Sequence, residues 1–210
     1  MGGHAAGEVA SRLAVEAFSR EMERLSGAPA PDGTLEERLR RAAATANRAI
    51  LDAARADPAT EGMGTTLTAV ALAPGRDAFA GVHIGDSRAY LFRDGTLRQL
   101  TTDHTWVQQQ VDAGKLSPLE ARRHPYASVL TRALGLAANP EFDTFGGDLR
   151  PGDMLLLCSD GLTGMVEDDE LAFILAKDSS LEAHVQELID AANRNGGFDN
   201  ITVILIRAGE

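Results

Sequence analysis

The chain has 210 residues, a single Cys and a formal net charge of -11, from 20 basic and 31 acidic side chains. That length suffices for one domain with a sizeable core, and the lone Cys158 excludes an internal disulfide framework, which points to a reducing, cytoplasmic compartment. The acidic balance argues against nucleic acid, whose phosphates need a positive face. There is no apolar run of the roughly eighteen residues that a membrane span requires. The opening segment has neither the basic nor the apolar part of a signal peptide.

Taken in chain order, Val9, Leu13, Phe18, Met22 and Leu25 recur at helical spacing until Ser26-Gly27-Ala28-Pro29 stops the pattern. Thr34-Leu35-Glu36-Glu37 reads as a capping box for a second helix. This helix carries Leu35, Leu39, Ala42, Ala46 and Ile50 inward and ends before Asp57-Pro58. From Thr65 the period changes to that of strands. Thr66 to Leu72 and Ala78 to Ile84 are joined by Pro74-Gly75-Arg76-Asp77, and Arg88 to Phe92 and Leu97 to Leu100 by the hairpin signal Asp94-Gly95. The pattern predicts an antiparallel meander. Residues 103 to 125 read as two short surface helices, His104 to Asp112 and one capped by Ser117-Pro118-Leu119-Glu120. Met154 to Cys158 is a continuous apolar run, hence a buried strand feeding the turn Ser159-Asp160-Gly161. Helices near Asp168–Lys177 and Ser180–Asn195 follow, the second closed by Asn195-Gly196-Gly197, and Ile201 to Ile206 is a closing strand. A helix pair, a meander and then strands mixed with helices make a layered α+β fold.

Three acids sit where strands end in turns: Asp86 in Gly85-Asp86-Ser87-Arg88, Asp160 in Ser159-Asp160-Gly161, and Asp199 in Phe198-Asp199-Asn200. Taken one at a time, such acids are ordinary turn formers. Brought together they would repel and would need a hard divalent cation such as Mg²⁺ or Mn²⁺. The five histidines have no i, i+4 pairing and no Cys partner, so they do not form a zinc site. His83 reads as a packed core residue, His104 as a helix-start residue and Cys158 as an inert buried thiol.

The strings around the acids match one family in order. They are Gly62-Met63-Gly64-Thr65-Thr66, Gly85-Asp86-Ser87-Arg88-Ala89-Tyr90, Leu100-Thr101-Thr102-Asp103-His104-Thr105 and Leu130-Thr131-Arg132-Ala133-Leu134-Gly135. Gly152 to Leu162 and Asp199-Asn200-Ile201-Thr202-Val203 complete the series. The whole chain, residues 1–210, resembles the metal-dependent type 2C (PPM) protein serine/threonine phosphatases in their short bacterial form. The resemblance implies a four-layer α-β-β-α sandwich of two antiparallel sheets and two Mn²⁺ or Mg²⁺ ions at one end. A metal-activated water there would attack phosphoserine or phosphothreonine in proteins, with no phosphoenzyme. It implies that Asp160 and Asp199 are metal ligands, that Asp86 holds a third ion with Asp160, and that Asn200 orients metal-bound water. It further implies a flap over about 103–130. Within it Arg122-Arg123 reads either as a solvated helix end or as a contact for acidic phosphopeptides. Phosphorylated proteins and an opposing Ser/Thr kinase are the implied partners, in the bacterial cytoplasm.

Gly2-Gly3-His4-Ala5-Ala6-Gly7-Glu8 resembles the segment that follows the family's first Asp-Gly metal motif. The family's bridging Asp and phosphate-binding Arg, together with two strands, would precede Met1. Two expectations follow from that departure. In the first, the start falls on an internal Met of a longer active enzyme. The alternative is a truncated, inactive module with the same fold that binds a protein partner.

Overall fold

The computed structural model describes residues 6–27, 33–73, 75 and 77–209. The opening Met1–Ala5 and parts of two expected connections, Ala28-Pro29 and Pro74 with Arg76, lie outside them. Helices α1 (Gly7–Ser26) and α2 (Leu35–Ala56) pack together through Ala10, Ala14, Ala46 and Ile50. The capping box forms: Glu37 N–H donates to Thr34 Oγ1 at 3.2 Å, and Thr34 N–H donates to the Glu37 carboxylate at 2.7 Å. These bonds satisfy two of the amides that a helix start leaves unpaired. Asp57 ends α2 and caps the short turn Pro58–Thr60.

Strands β1 (Leu67–Leu72), β2 (Ala78–Ile84), β3 (Arg88–Arg93) and β4 (Thr96–Gln99) follow in the expected order. They do not form one meander. β1 and β2 belong to a three-stranded sheet with β5 (Asp143–Asp148), in the order β1-β2-β5. β3 and β4 belong to a four-stranded sheet with β6 (Met154–Cys158) and β7 (Val203–Arg207), in the order β4-β3-β6-β7. The chain leaves one sheet and enters the other at Gly85-Asp86-Ser87. Gly85 makes this turn with φ +115°, and a Cβ there would lie 2.3 Å from Thr66 Cγ2. A residue with a side chain would be both strained and blocked.

The two sheets face each other through Phe79, Leu91, Leu149 and Leu155. The outer face of the first sheet packs Val82 against Leu39 and Ala43 of α2. On the outer face of the second, Tyr90, Phe92, Leu156 and Cys158 meet α6 (Asp168–Leu175) and α7 (Leu181–Arg194). The layers are therefore helix, sheet, sheet, helix. Each strand alternates its faces between the inter-sheet core and the helices, so β6 is buried along its whole length. Between β4 and β5 the chain forms α3 (Trp106–Asp112) and α4 (Pro118–Arg122), whose N-caps are Thr105 and Ser117. A one-turn helix, α5 (Asp160–Thr163), follows β6.

Candidate active site

Three connections converge at one end of the sandwich: the β2–β3 turn with Asp86, the β6–α5 turn with Asp160, and the segment before β7 with Asp199 and Asn200. Ser159 staples the last two. Its Oγ donates to the Asn200 carbonyl and accepts from Thr202 N–H, both at 3.0 Å, while its own N–H donates to the Thr202 carbonyl at 3.1 Å. Gly161 allows the close approach, since a Cβ there would lie 2.3 Å from the Asn200 carbonyl oxygen. Asp199 also accepts from Asn200 N–H at 2.7 Å, which shapes its turn.

The electrostatics follow from this crowding. Burial pushes the Asp86 carboxyl up to about 7, and the charges of Asp160 and then Asp103 push the same way. Asp160 is raised first by the protein packed around it and next by Asp199, although its side chain opens to solvent. The acids thus couple as two pairs that share Asp160. Among the described residues, no side-chain donor reaches Asp86 or Asp160. The nearest guanidinium is already engaged: Arg88 donates to both oxygens of Asp103 at 2.8 Å and to Tyr90 Oη at 3.0 Å. Tyr90 Oη in turn donates to Asp168 at 3.1 Å.

Carboxylates crowded at a solvent-open edge, with Asp86 and Asp160 raised in proton affinity, suit a hard divalent cation, which prefers oxygen ligands and keeps several waters. The donor chemistry fits Mn²⁺ or Mg²⁺. Among the described residues, no three His, Cys, Asp or Glu side chains gather closely enough to hold an ion by themselves. An ion shared by one of the pairs would therefore complete its shell with water or other oxygen donors.

The remaining sequence candidates fall as follows. Arg122 is engaged within the protein, donating to the Val166 carbonyl at 3.2 Å and pairing with Glu167 at 2.9 Å. Arg123 caps α4 and is exposed. Cys158 is buried, and its thiol is pushed up to about 12, chiefly by burial. His83 is fully buried and pushed down to about 4, by burial first and by neighbouring His104 next. It lies between Thr68 Oγ1 and the Thr102 carbonyl. His104 does not start a helix. It precedes the Thr105 cap, is 2% exposed and bonds to Gly85, Thr131 and Asp143. Neither Ser159 nor His104 stood out in the sequence as a site-building residue. Only the small polar residue ahead of Asp160-Gly161 hints at the staple.

The family model "Protein phosphatase 2C" matches residues 1–205. A serine/threonine phosphatase stp of Listeria welshimeri is 41% identical over 206 residues, which cover 98% of this chain and 81% of that protein. The serine/threonine protein phosphatase PstP of Mycobacterium tuberculosis is 44% identical over 98% of this chain and 38% of its own length. The crystal structure of the PstP catalytic domain in complex with two manganese ions superposes with a TM-score of 0.84 at 40% identity, covering 100% of this chain and 85% of that one. With the family model matching nearly the whole chain and relatives at 41% and 44% identity, this chain belongs to the protein phosphatase 2C family.

Proposed function

We propose that this chain hydrolyses phosphoserine and phosphothreonine in proteins with the help of Mn²⁺ or Mg²⁺. The observation that carries the reading is the convergence of Asp86, Asp160 and Asp199 at one sheet end, where no side chain among the described residues donates to Asp86 or Asp160. Asp160 and Asp199 would hold the core ions, and Asp86 with Asp160 a third. When bound, these ions supply Lewis acidity and lower the pKa of water toward neutrality. The residues do the positioning. Ser159 fixes the Asp160 and Asp199 turns relative to one another, and Asn200, exposed beside Asp199, orients water.

Residues 103–130 serve as the flap beside this edge. Their two ends are tied by the Thr105–Leu130 bridge. Arg122 docks the flap on the Val166-Glu167 segment, and Arg123 meets the phosphorylated substrate from the exposed end of α4. The substrates are phosphorylated proteins, countering a Ser/Thr kinase in bacterial cytoplasmic signalling. The net charge of -11 gives no support to nucleic acid as a partner. Among the described residues, no helix is long and apolar enough to cross a membrane. The test is phosphate release from a phosphothreonine peptide with and without Mn²⁺. The reading expects metal-dependent turnover that Asp199→Asn removes. Equal turnover in excess chelator would refute it.

A further inference from the structure

The residue at the base of the flap also grips the turn that carries Asp86. Gly85 N–H donates to His104 Nδ1 at 3.0 Å, and His104 N–H donates to the Gly85 carbonyl at 2.7 Å. Both backbone polar groups of the residue before Asp86 are therefore held by one side chain and its own amide. On the other side Thr66 walls off Gly85, 2.3 Å from where a Cβ would stand. The second imidazole nitrogen, Nε2, donates to Asp143 at 3.0 Å, and Arg132 Nη1 donates to the other oxygen of the same carboxylate at 2.9 Å. The His104 carbonyl accepts from Thr131 N–H at 2.8 Å. These bonds assign the tautomer. Nδ1 receives a hydrogen bond and so carries no proton, while Nε2 faces a carboxylate and carries one. Burial favours the same neutral form, against the opposing pull of Asp143.

We infer that His104 is a positioning residue: its Nδ1 contact with Gly85 sets the Asp86 turn, and with it the affinity for the ion that Asp86 and Asp160 share. This rests on the reading of Asp86 as a ligand given above. His104 itself touches neither substrate nor metal. Its role is the one that outer-shell partners of metal ligands have, whose loss typically costs about 10- to 100-fold in affinity. Asp143 and Arg132 anchor the far side of the imidazole to β5 and to the flap exit, so the flap base and the Asp86 turn share one buried joint.

Two near-isosteres separate the two contacts of the ring. In His104→Asn the amide oxygen replaces Nδ1 and still accepts from Gly85, but the bond to Asp143 is lost. In His104→Gln the side-chain end replaces Nε2 and keeps Asp143, but Gly85 N–H loses its acceptor. Mn²⁺ binding to this chain, followed by calorimetry, is the readout, with thermal unfolding as the control. The inference expects His104→Gln to weaken the weakest Mn²⁺ site by about 10-fold or more, His104→Asn to leave it within about threefold, and both to lower Tm comparably. Equal Mn²⁺ affinities in the two variants would overturn it, as would weakening that follows loss of the Asp143 contact instead. Asp86→Asn is the separate control. If it leaves Mn²⁺ binding unchanged, the assignment of Asp86 is what fails. If it abolishes the weak site while His104→Gln does not weaken it, the role of His104 is what fails.

Discussion

Strand β6 has an aspartate beyond each end, and the fold treats the two in opposite ways. Asp153, before Met154, is 3% exposed and accepts from Arg93 Nε at 2.9 Å, Arg93 Nη2 at 2.6 Å and Arg150 N–H at 2.7 Å. Those hydrogen bonds, Arg93 foremost, hold its carboxyl below the ordinary range. Asp160, past Cys158, has no side-chain donor among the described residues, and burial together with Asp199 pushes it the other way. Strand β3 carries an arginine toward each end, and both are spent on other aspartates, Arg93 on Asp153 and Arg88 on Asp103, so neither is left for Asp160. Among the described residues, Asp153 is closed by ion pairing at one end of the sandwich, while Asp86 and Asp160 at the other have no side-chain hydrogen-bond donor. An uncompensated acid lowers stability, and such sites concentrate where a ligand completes the chemistry.

The sharpest way to break this comparison is to neutralise each aspartate in turn. Asp160→Asn removes repulsion along with an oxygen that the proposed function assigns to a metal ion. Turnover on a phosphothreonine peptide is expected to fall by about 100-fold or more, while stability in urea stays within about 0.5 kcal/mol or rises. Asp153→Ala takes from Arg93 its carboxylate partner and leaves it the bond to the Asp148 carbonyl. It is expected to lower the urea midpoint measurably and to leave turnover within about threefold. If the two variants exchanged these signatures, the division of labour would be reversed.

The pH dependence sharpens the Asp153 half. Its folded pKa is depressed, so its contribution is fully present above the unfolded value of about 3.9 and is lost as pH falls through the folded value. The stability gap between wild type and Asp153→Asn should be constant from about pH 5 to 8 and shrink below about pH 4. A gap that widens with acid would mean that the carboxyl is not the stabilising form. A smaller effect concerns the capping box far from either end. Thr34→Ala should cost about 1 kcal/mol and nothing in turnover, measured by the same unfolding and peptide assays. Least of all, Cys158 should resist a thiol reagent in the native state and react only on unfolding, because the buried thiol stays protonated.

The parts of the fold legible in the sequence are those written locally. The Thr34 capping box, the Asp94-Gly95 hairpin and the apolar run of β6 each lie within a few residues of the bonds they form. Strand β5 was not legible, because Asp143, Gly146, Gly147 and Asp148 read as loop. It exists because β2 pairs with it, Gly81 against Phe145 and Ala80 against Gly146. The splitting of the meander was hidden for the same reason. Local pairing shows which strands form hairpins, whereas the sheet each hairpin joins depends on packing across the sandwich. In the site, the motif strings pointed to the acids, while the devices that aim them act over distance. His104 reaches Gly85 across 19 positions and Ser159 reaches Asn200 across 41. Neither spacing has a pattern that single-chain reading can detect.

The most direct test of the open-end account is calorimetric Mn²⁺ titration of wild type, Asp160→Asn and Asp153→Asn side by side. The account predicts that wild type and Asp153→Asn bind Mn²⁺ alike and that Asp160→Asn loses the binding. Undiminished Mn²⁺ uptake by Asp160→Asn, or a loss that follows Asp153→Asn instead, would contradict it.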